Sequence, residues 1–321
     1  MRTGWMWAAI CGTTLWAGSH ETWVATLGVA DRAQAQARFQ EAADSLKLAA
    51  GIAERLVHAD VLLAQTLTRL GSVYADMGRL RDAENADLRA LAAWERGDPA
   101  DPERSNALMG LVRVYMELRE FAKAERFGSA AIQIREKAWG PSHSDVGAAY
   151  VNLAAVYHYE RRYPQALEMY QRAIEILSKS GGFEDAATVR GNLGTLLGAM
   201  GRPADAVAEI RQAIATLEVL GPRLRPKLAL LLNNLALMDC RMGRWDEAEA
   251  AVLRAREIIT GVFGPDHSSL GPVLRTYADV LRHTGRKREA RQMERSAAAL
   301  RQEAAAQNLT GYTVDAKAYI P

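Results

Sequence analysis

The chain has 321 residues, 49% of them hydrophobic and 24% charged, with a formal net charge of +2. That balance gives no basis for nucleic-acid binding by the whole protein, and two cysteines, Cys11 and Cys240, can build neither a disulfide framework nor a zinc site. The charge is unevenly placed: Asp76 to Glu103 holds eight acids and four bases, whereas Leu274 to Arg301 holds eight bases and three acids.

The N-terminus comes first. Arg2 precedes an uncharged run from Trp5 to Ala17, then the small-residue site Ala17-Gly18-Ser19. One base, a short apolar stretch and a small-x-small site predict a signal peptide or anchor over residues 1–35, cut near 19. A second apolar patch, Trp23 to Ala30, follows. The expected location is therefore secreted, periplasmic or membrane-anchored rather than cytoplasmic. Any membrane contact would run through this leader if it stays uncleaved.

From residue 36 to 302 the chain repeats. Alanine pairs fall at Ala42/Ala49, Ala83/Ala90, Ala124/Ala131, Ala166/Ala173, Ala206/Ala213, Ala248/Ala255 and Ala290/Ala297, and successive pairs are 41, 41, 42, 40, 42 and 42 residues apart. Seven residues is two helical turns, so each pair marks one stripe of one helix. A recurring small residue on a stripe means that another backbone packs close, and a period near 42 means one supersecondary unit copied end to end.

Within each unit a first helix carries a central landmark: Leu70, Leu111, Leu153, Leu193, Leu235 and Tyr277. Four residues on, Tyr74, Tyr115, Tyr157, Leu197 and Leu281 extend the same buried face. A breaker follows, Gly78-Arg79, Gly201-Arg202, Gly243-Arg244 and Gly285-Arg286, with Arg119-Glu120 and Arg161-Arg162 in the remaining copies. Glycine there suits a left-handed helix cap. Pro164 and Pro203 begin a second helix, which carries the alanine pair. Gly140-Pro141-Ser142-His143 and Gly264-Pro265-Asp266-His267 end that helix and turn the chain, with His143 and His267 expected to cap the turns.

This pattern resembles the tetratricopeptide repeat of the 42-residue, kinesin-light-chain-like type. The nearest stretch is Leu232-Asn-Asn-Leu-Ala-Leu, then Gly243-Arg-Trp-Asp-Glu-Ala-Glu, then Gly264-Pro-Asp-His267. The resemblance implies an all-α, right-handed superhelical solenoid of antiparallel helix pairs, with six repeats preceded by a half repeat whose second helix carries Ala42 and Ala49. It also implies that first helices line a concave groove holding a peptide or helix of a protein partner. Carried over by position, the candidate partner-binding residues are Met109, Arg113, Met116, Val151, His158, Tyr159, Thr195, Asn233, Leu237, Arg241, Arg275 and Arg282. Asn233 matches an asparagine that the family uses on a bound peptide backbone. Gly191, Gly194 and Gly198 suit close helix packing, and Gly191 and Gly198 also fall at inward positions where a partner backbone could approach. The basic end of the groove suggests an acidic partner or a terminal carboxylate.

Two positions depart from the pattern. Asp239 stands where other units have Tyr or Leu, and a buried carboxylate needs a partner. Arg275 or Arg254 is the expected one, with a polar contact inside the groove as the alternative. Lys287 replaces an apolar residue, as a terminal unit with a polar outer face would. No metal, phosphate-loop or nucleophile-turn motif is present in the sequence. The expectation is a non-catalytic scaffold with no cofactor, no small-molecule substrate and no nucleic-acid partner. A self-associating assembly protein, or a regulatory module serving a separate effector chain, is the alternative. Residues 303–321 break the helical period and form a non-repeat tail.

Overall fold

The computed structural model describes the backbone of residues 4–306 and the side chains of residues 19–303. The apolar run Trp5–Ala17 and most of the tail lie outside the described side chains. The described residues form fourteen α-helices and one short 3-10 turn. No described helix is long and apolar enough to cross a membrane.

The chain divides into two compact units, residues 1–141 and 142–321. Unit 1 contains α1 (Gly4–Ala35), α2 (Phe39–Ala53), α3 (Asp60–Asp76), α4 (Leu80–Gly97), α5 (Arg104–Glu117) and α6 (Phe121–Trp139). Unit 2 contains α7 (Ser144–Tyr159), α8 (Tyr163–Lys179), α9 (Phe183–Ala199), α10 (Pro203–Leu220), α11 (Arg225–Arg241), α12 (Trp245–Phe263), α13 (Leu270–His283) and α14 (Lys287–Ala306). Odd-numbered helices pack on their even-numbered successors as hairpins, and each hairpin packs on the next within its unit.

The expected half repeat is not half. The helix α1 packs along α2, and its Trp23, Ala30 and Ala33 are buried there. Trp23 Nε1 also donates to Thr66 Oγ1 of α3 at 3.0 Å, and Asp31 pairs with Arg69 of α3. Residues 19–35 therefore behave as the first helix of a complete hairpin. At the landmark position α1 has Val29 in place of Leu or Tyr, and four residues on it has Ala33 in place of a large side chain, so the repeat's large landmark residues do not mark it.

The turn inside each hairpin is set by one backbone device. Gly78, Gly201, Gly243 and Gly285 take positive φ between 70° and 82°, and Arg119 and Arg161 take 59° and 62° at the same place. The next residue's N–H then reaches back to the carbonyl five residues earlier: Arg79 to Tyr74, Arg162 to Tyr157, Arg244 to Asp239. This is the six-to-one bond of a Schellman cap, which satisfies an orphan carbonyl and reverses the chain. The same reversal folds the arginine side chain over the residue it has bonded. Arg79 lies 4.5 Å above the Tyr74 ring and Arg162 4.4 Å above the Tyr157 ring, a cation–π contact. The connector histidines cap as expected: His143 Nδ1 accepts from the Asp145 N–H and His267 Nδ1 from the Ser269 N–H, both at 3.2 Å.

The alanine stripe closes the hairpins, and all fourteen of its alanines are buried. Four residues after the first alanine, Leu46, Tyr170, Ile210 and Val252 fill the wedge behind the stripe. Each such side chain contributes roughly 1.5–3 kcal/mol by leaving water. Gly194 shows how little clearance remains on the facing helix: an added Cβ would stand 2.5 Å from Ile210 Cγ1.

Two substitutions test this packing by urea denaturation. Ala166→Leu should lower the midpoint at unchanged slope, by about 1–3 kcal/mol of stability. Arg161→Gly relieves a left-handed residue and should raise stability by roughly 0.5–1 kcal/mol.

Candidate partner-binding site

The more extensive contacts between alternate helices all join first helices: α3 meets α5 in unit 1, and α9 meets α11 and α11 meets α13 in unit 2. Such contacts bring the first helices together and leave the second helices splayed. Side chains on the free side of the first helices form the candidate surface of each unit.

In unit 1, Met109 and Met116 are half-buried and Arg113 is exposed on α5. Arg113 bridges back to α3, donating through Nη1 to Asp76 Oδ1 and through Nη2 to the Ser72 carbonyl, both at 2.9 Å. Its guanidinium thus clasps two first helices together as well as facing solvent.

In unit 2, α7 presents half-buried Val151 and His158 beside exposed Tyr159. The His158 ring meets the edge of Tyr163 at 6.1 Å, and burial pushes its pKa down, favouring the neutral form. Thr195 of α9 is half-buried and donates to the Asn192 carbonyl at 2.7 Å. On α11, Leu237 is half-buried, and exposed Arg241 donates to the Gly198 carbonyl of α9 at 2.8 Å. Arg241 therefore repeats in unit 2 the backward clasp that Arg113 makes in unit 1. On α13, Arg275 is half-buried, and exposed Arg282 pairs with Asp279 and with Glu294 of α14.

Three expectations change. Asn233 is only 3% exposed, and its Oδ1 is buried without a hydrogen-bond partner; the side chain lies beneath the surface that a peptide would reach. Gly191 and Gly198 are buried rather than bare. A Cβ on Gly191 would stand 2.4 Å from Leu231 Cδ2, and one on Gly198 2.7 Å from Met238 Sδ. These glycines admit α11 against α9, which is why they lack side chains. The basic end is also less free than a residue count suggests, because Arg282 is neutralised by its two acids and Arg241 is spent on a backbone carbonyl. Among the described residues, unpaired positive charge remains on Arg275 of α13 and on exposed Arg288, Arg291 and Arg295 of α14.

Unit 1 also contains a hollow of about 390 Å³ at the α2–α3 turn, lined by Glu54, His58, Asp60, Arg89 and Arg96 among others. None of the candidate groove residues lines it. Its charges already pair, Arg89 with Glu54 at 2.8 Å and Arg96 with Asp60 at 2.9 Å. Among the described residues no group of three His, Cys, Asp or Glu side chains is placed to hold a metal.

A family model for the tetratricopeptide repeat matches residues 62–137, 103–179, 145–218 and 227–303, well over half of the chain. The chain is a tetratricopeptide repeat protein. The solved structures it resembles include BtubC (BKLC) from P. vanneervenii, at 22% identity over 70% of this chain and 92% of that one, with a TM-score of 0.63. A putative kinesin light chain from Podosopora anserina with nearly identical TPR-like repeats matches at 20% identity over 64% and 98%, with a TM-score of 0.53. A Rap protein complexed with competence and sporulation factor matches at 15% identity over 89% and 76%, with a TM-score of 0.63. At these identities the likeness is one of fold. A sequence comparison with curated proteins finds no match. Tetratricopeptide repeats are protein-interaction scaffolds, and the fold is typically non-catalytic.

Against the repeat pattern, the departure at Asp239 has a local solution. Its partner is neither Arg275 nor Arg254, which pairs with Glu218. It is Arg244, the arginine that the Schellman turn folds back, donating to Asp239 Oδ1. Asp239 is 1% exposed and its Oδ2 has no partner. Burial raises its pKa, and Arg244 opposes that rise. In the α3–α4 and α7–α8 hairpins the same arginine stacks on tyrosine; here an ion pair replaces the stack.

Arg244→Ala should cost roughly 3 kcal/mol, because it strands a buried carboxylate. Without the arginine the carboxyl pKa rises further, and a raised folded-state value contributes stability at low pH that is lost as pH increases. The loss measured by urea denaturation should therefore be smaller at pH 5 than at pH 8. Asp239→Tyr, with Arg244 retained, should be at least as stable as the parent.

Proposed function

We propose that this tetratricopeptide repeat protein captures an extended peptide or a single helix of a protein partner on the free side of its first helices. The observation that carries this reading is a division of labour along each first helix. Positions that pack against neighbouring helices repeat as Leu, Tyr, Val, Gly and Ala. Positions two and six after the landmark stay accessible and change from unit to unit: Ser72 and Asp76, Arg113 and Glu117, Ala155 and Tyr159, Thr195 and Ala199, Leu237 and Arg241, Asp279 and His283. Stacking alone places no demand on the second set, so its variety suits recognition.

Unit 2 offers the broader candidate surface. Val151, His158, Tyr159, Thr195 and Leu237 supply apolar and aromatic area with few rotatable bonds, and Arg275 supplies a cation that could meet an acidic side chain or a terminal carboxylate. The mechanism is non-covalent docking on a surface held ready by the hairpin stack, so little ordering is required at binding.

Peptide display tests this directly. Random peptides selected on the full chain should enrich for a sequence whose binding falls at least about tenfold with Leu237→Glu or Arg275→Glu. Substituting Glu168→Lys, on the exposed part of second helix α8, should leave it unchanged. Absence of enrichment, or binding lost only with the α8 variant, would remove the first-helix surface as the site. Circular dichroism of each variant separates loss of contact from loss of fold.

A further inference from the structure

Asp87 is the residue of unit 1 that packing does not explain. It lies on the alanine stripe of α4, four residues after Ala83, where other units carry Leu46, Gly128, Tyr170, Ile210, Val252 and Glu294. It is 1% exposed, and neither carboxyl oxygen has a hydrogen-bond partner. Two glycines from two helices grip it. A Cβ on Gly71 of α3 would fall 2.3 Å from Oδ1, and a Cβ on Gly110 of α5 would fall 2.3 Å from Oδ2. The carboxyl thus fills the seam where α3 and α5 meet, in a slot that those two glycines leave vacant.

A neutral carboxyl can occupy such a slot as a small, nearly apolar group. A carboxylate without hydrogen bonds cannot, because its desolvation is uncompensated. The surrounding charges are already committed. On α3, Asp60 pairs with Arg96, Arg69 with Asp31, and Asp76 with Arg113. On α5, Arg104 pairs with Glu95, and Glu117 is exposed. On α4, Arg79 at its N-cap pairs with Asp82, Arg81 with Glu84, and Arg89 with Glu54. Glu84 also accepts from Tyr115 Oη at 2.7 Å. Arg113 is the one charge whose field reaches Asp87 and favours its ionised form. That same arginine holds Ser72 and Asp76 across the α3–α5 seam.

We propose that the α3–α5 seam of unit 1 is a proton-controlled latch, closed while Asp87 is neutral and opened when Asp87 releases its proton to solvent. Opening lets the carboxylate reach water and Arg113, at the expense of the Arg113 clasp on α3. The sign follows from linkage. Burial pushes the Asp87 pKa up to about 8 in the closed form, while the open form keeps an ordinary carboxylate value. The closed seam is therefore fully favoured below the ordinary carboxylate range and loses that advantage as pH rises towards about 8.

Hydrogen exchange on the full chain at pH 6 and pH 9, corrected for the intrinsic base-catalysed rate, reads the latch. Peptides covering α3 and α5 should exchange at least about tenfold faster at the higher pH, while α8 and α10 of unit 2 stay constant. Asp87→Asn and Asp87→Leu should each remove the difference. Equal corrected rates at the two pH values, acceleration spread evenly over both units, or pH dependence retained in both variants would overturn the proposal. Should neither variant fold, carboxyl-carbon NMR of the parent decides. An Asp87 midpoint above about 6 supports the latch, and one in the ordinary carboxylate range overturns it.

Discussion

The close approach of two helix backbones at each alanine stripe is the constraint from which the other features follow. An alanine methyl sealed between helices leaves no room for a larger side chain, so the register of each hairpin has a single solution. Once register is set, a Schellman turn that carries an arginine places it over the residue five positions back. Once hairpins stack, successive first helices meet, and glycine appears where α9 admits α11 or where α3 and α5 close on Asp87. Second helices supply stripe and wedge, and first helices keep one side free.

Two buried acids show how a repeat absorbs a charge in its core. Asp239 is met by Arg244, which the turn delivers regardless of what lies beneath it. A side chain that stacks on tyrosine elsewhere becomes an ion-pair partner without any change of backbone. Asp87 has no such neighbour. The arginine whose field reaches it is held on the far side of the seam, so the unit accommodates it as a neutral group. The same residue type, at different depths from the turn, therefore does different work: one acid ties a hairpin, the other makes a junction sensitive to protons.

The accessible surface follows the same economy. Arg113 and Arg241 are exposed, yet each already donates to the preceding first helix. A partner that docks beside them meets a side chain whose position is set by the scaffold. Arg282 is neutralised within its own hairpin. Recognition by charge therefore depends less on how many bases a helix carries than on which of them the stack leaves unspent.

Much of this was legible in the chain itself. The period near 42, the alanine pairs, the glycine-arginine breakers and the connector histidines are local demands of helix geometry and turn stereochemistry, and they are written in nearly every copy. That sufficed for the hairpins, their order and the family. Tertiary structure decided what depends on distance between copies. It supplied α1 as the partner of α2, because the burial of Trp23, Ala30 and Ala33 depends on contact with α2 and α3 and not on the repeat's landmark residues. It turned Gly191 and Gly198 from open groove into packed seam and put Asn233 below the surface, because the depth of a position depends on which helix leans on it. It assigned Arg244 to Asp239 over more distant arginines, because the turn had already brought that side chain within reach. Asp87 stood in the sequence as one polar residue at a wedge position. Only the two glycines that converge on it from separate helices showed what that position holds.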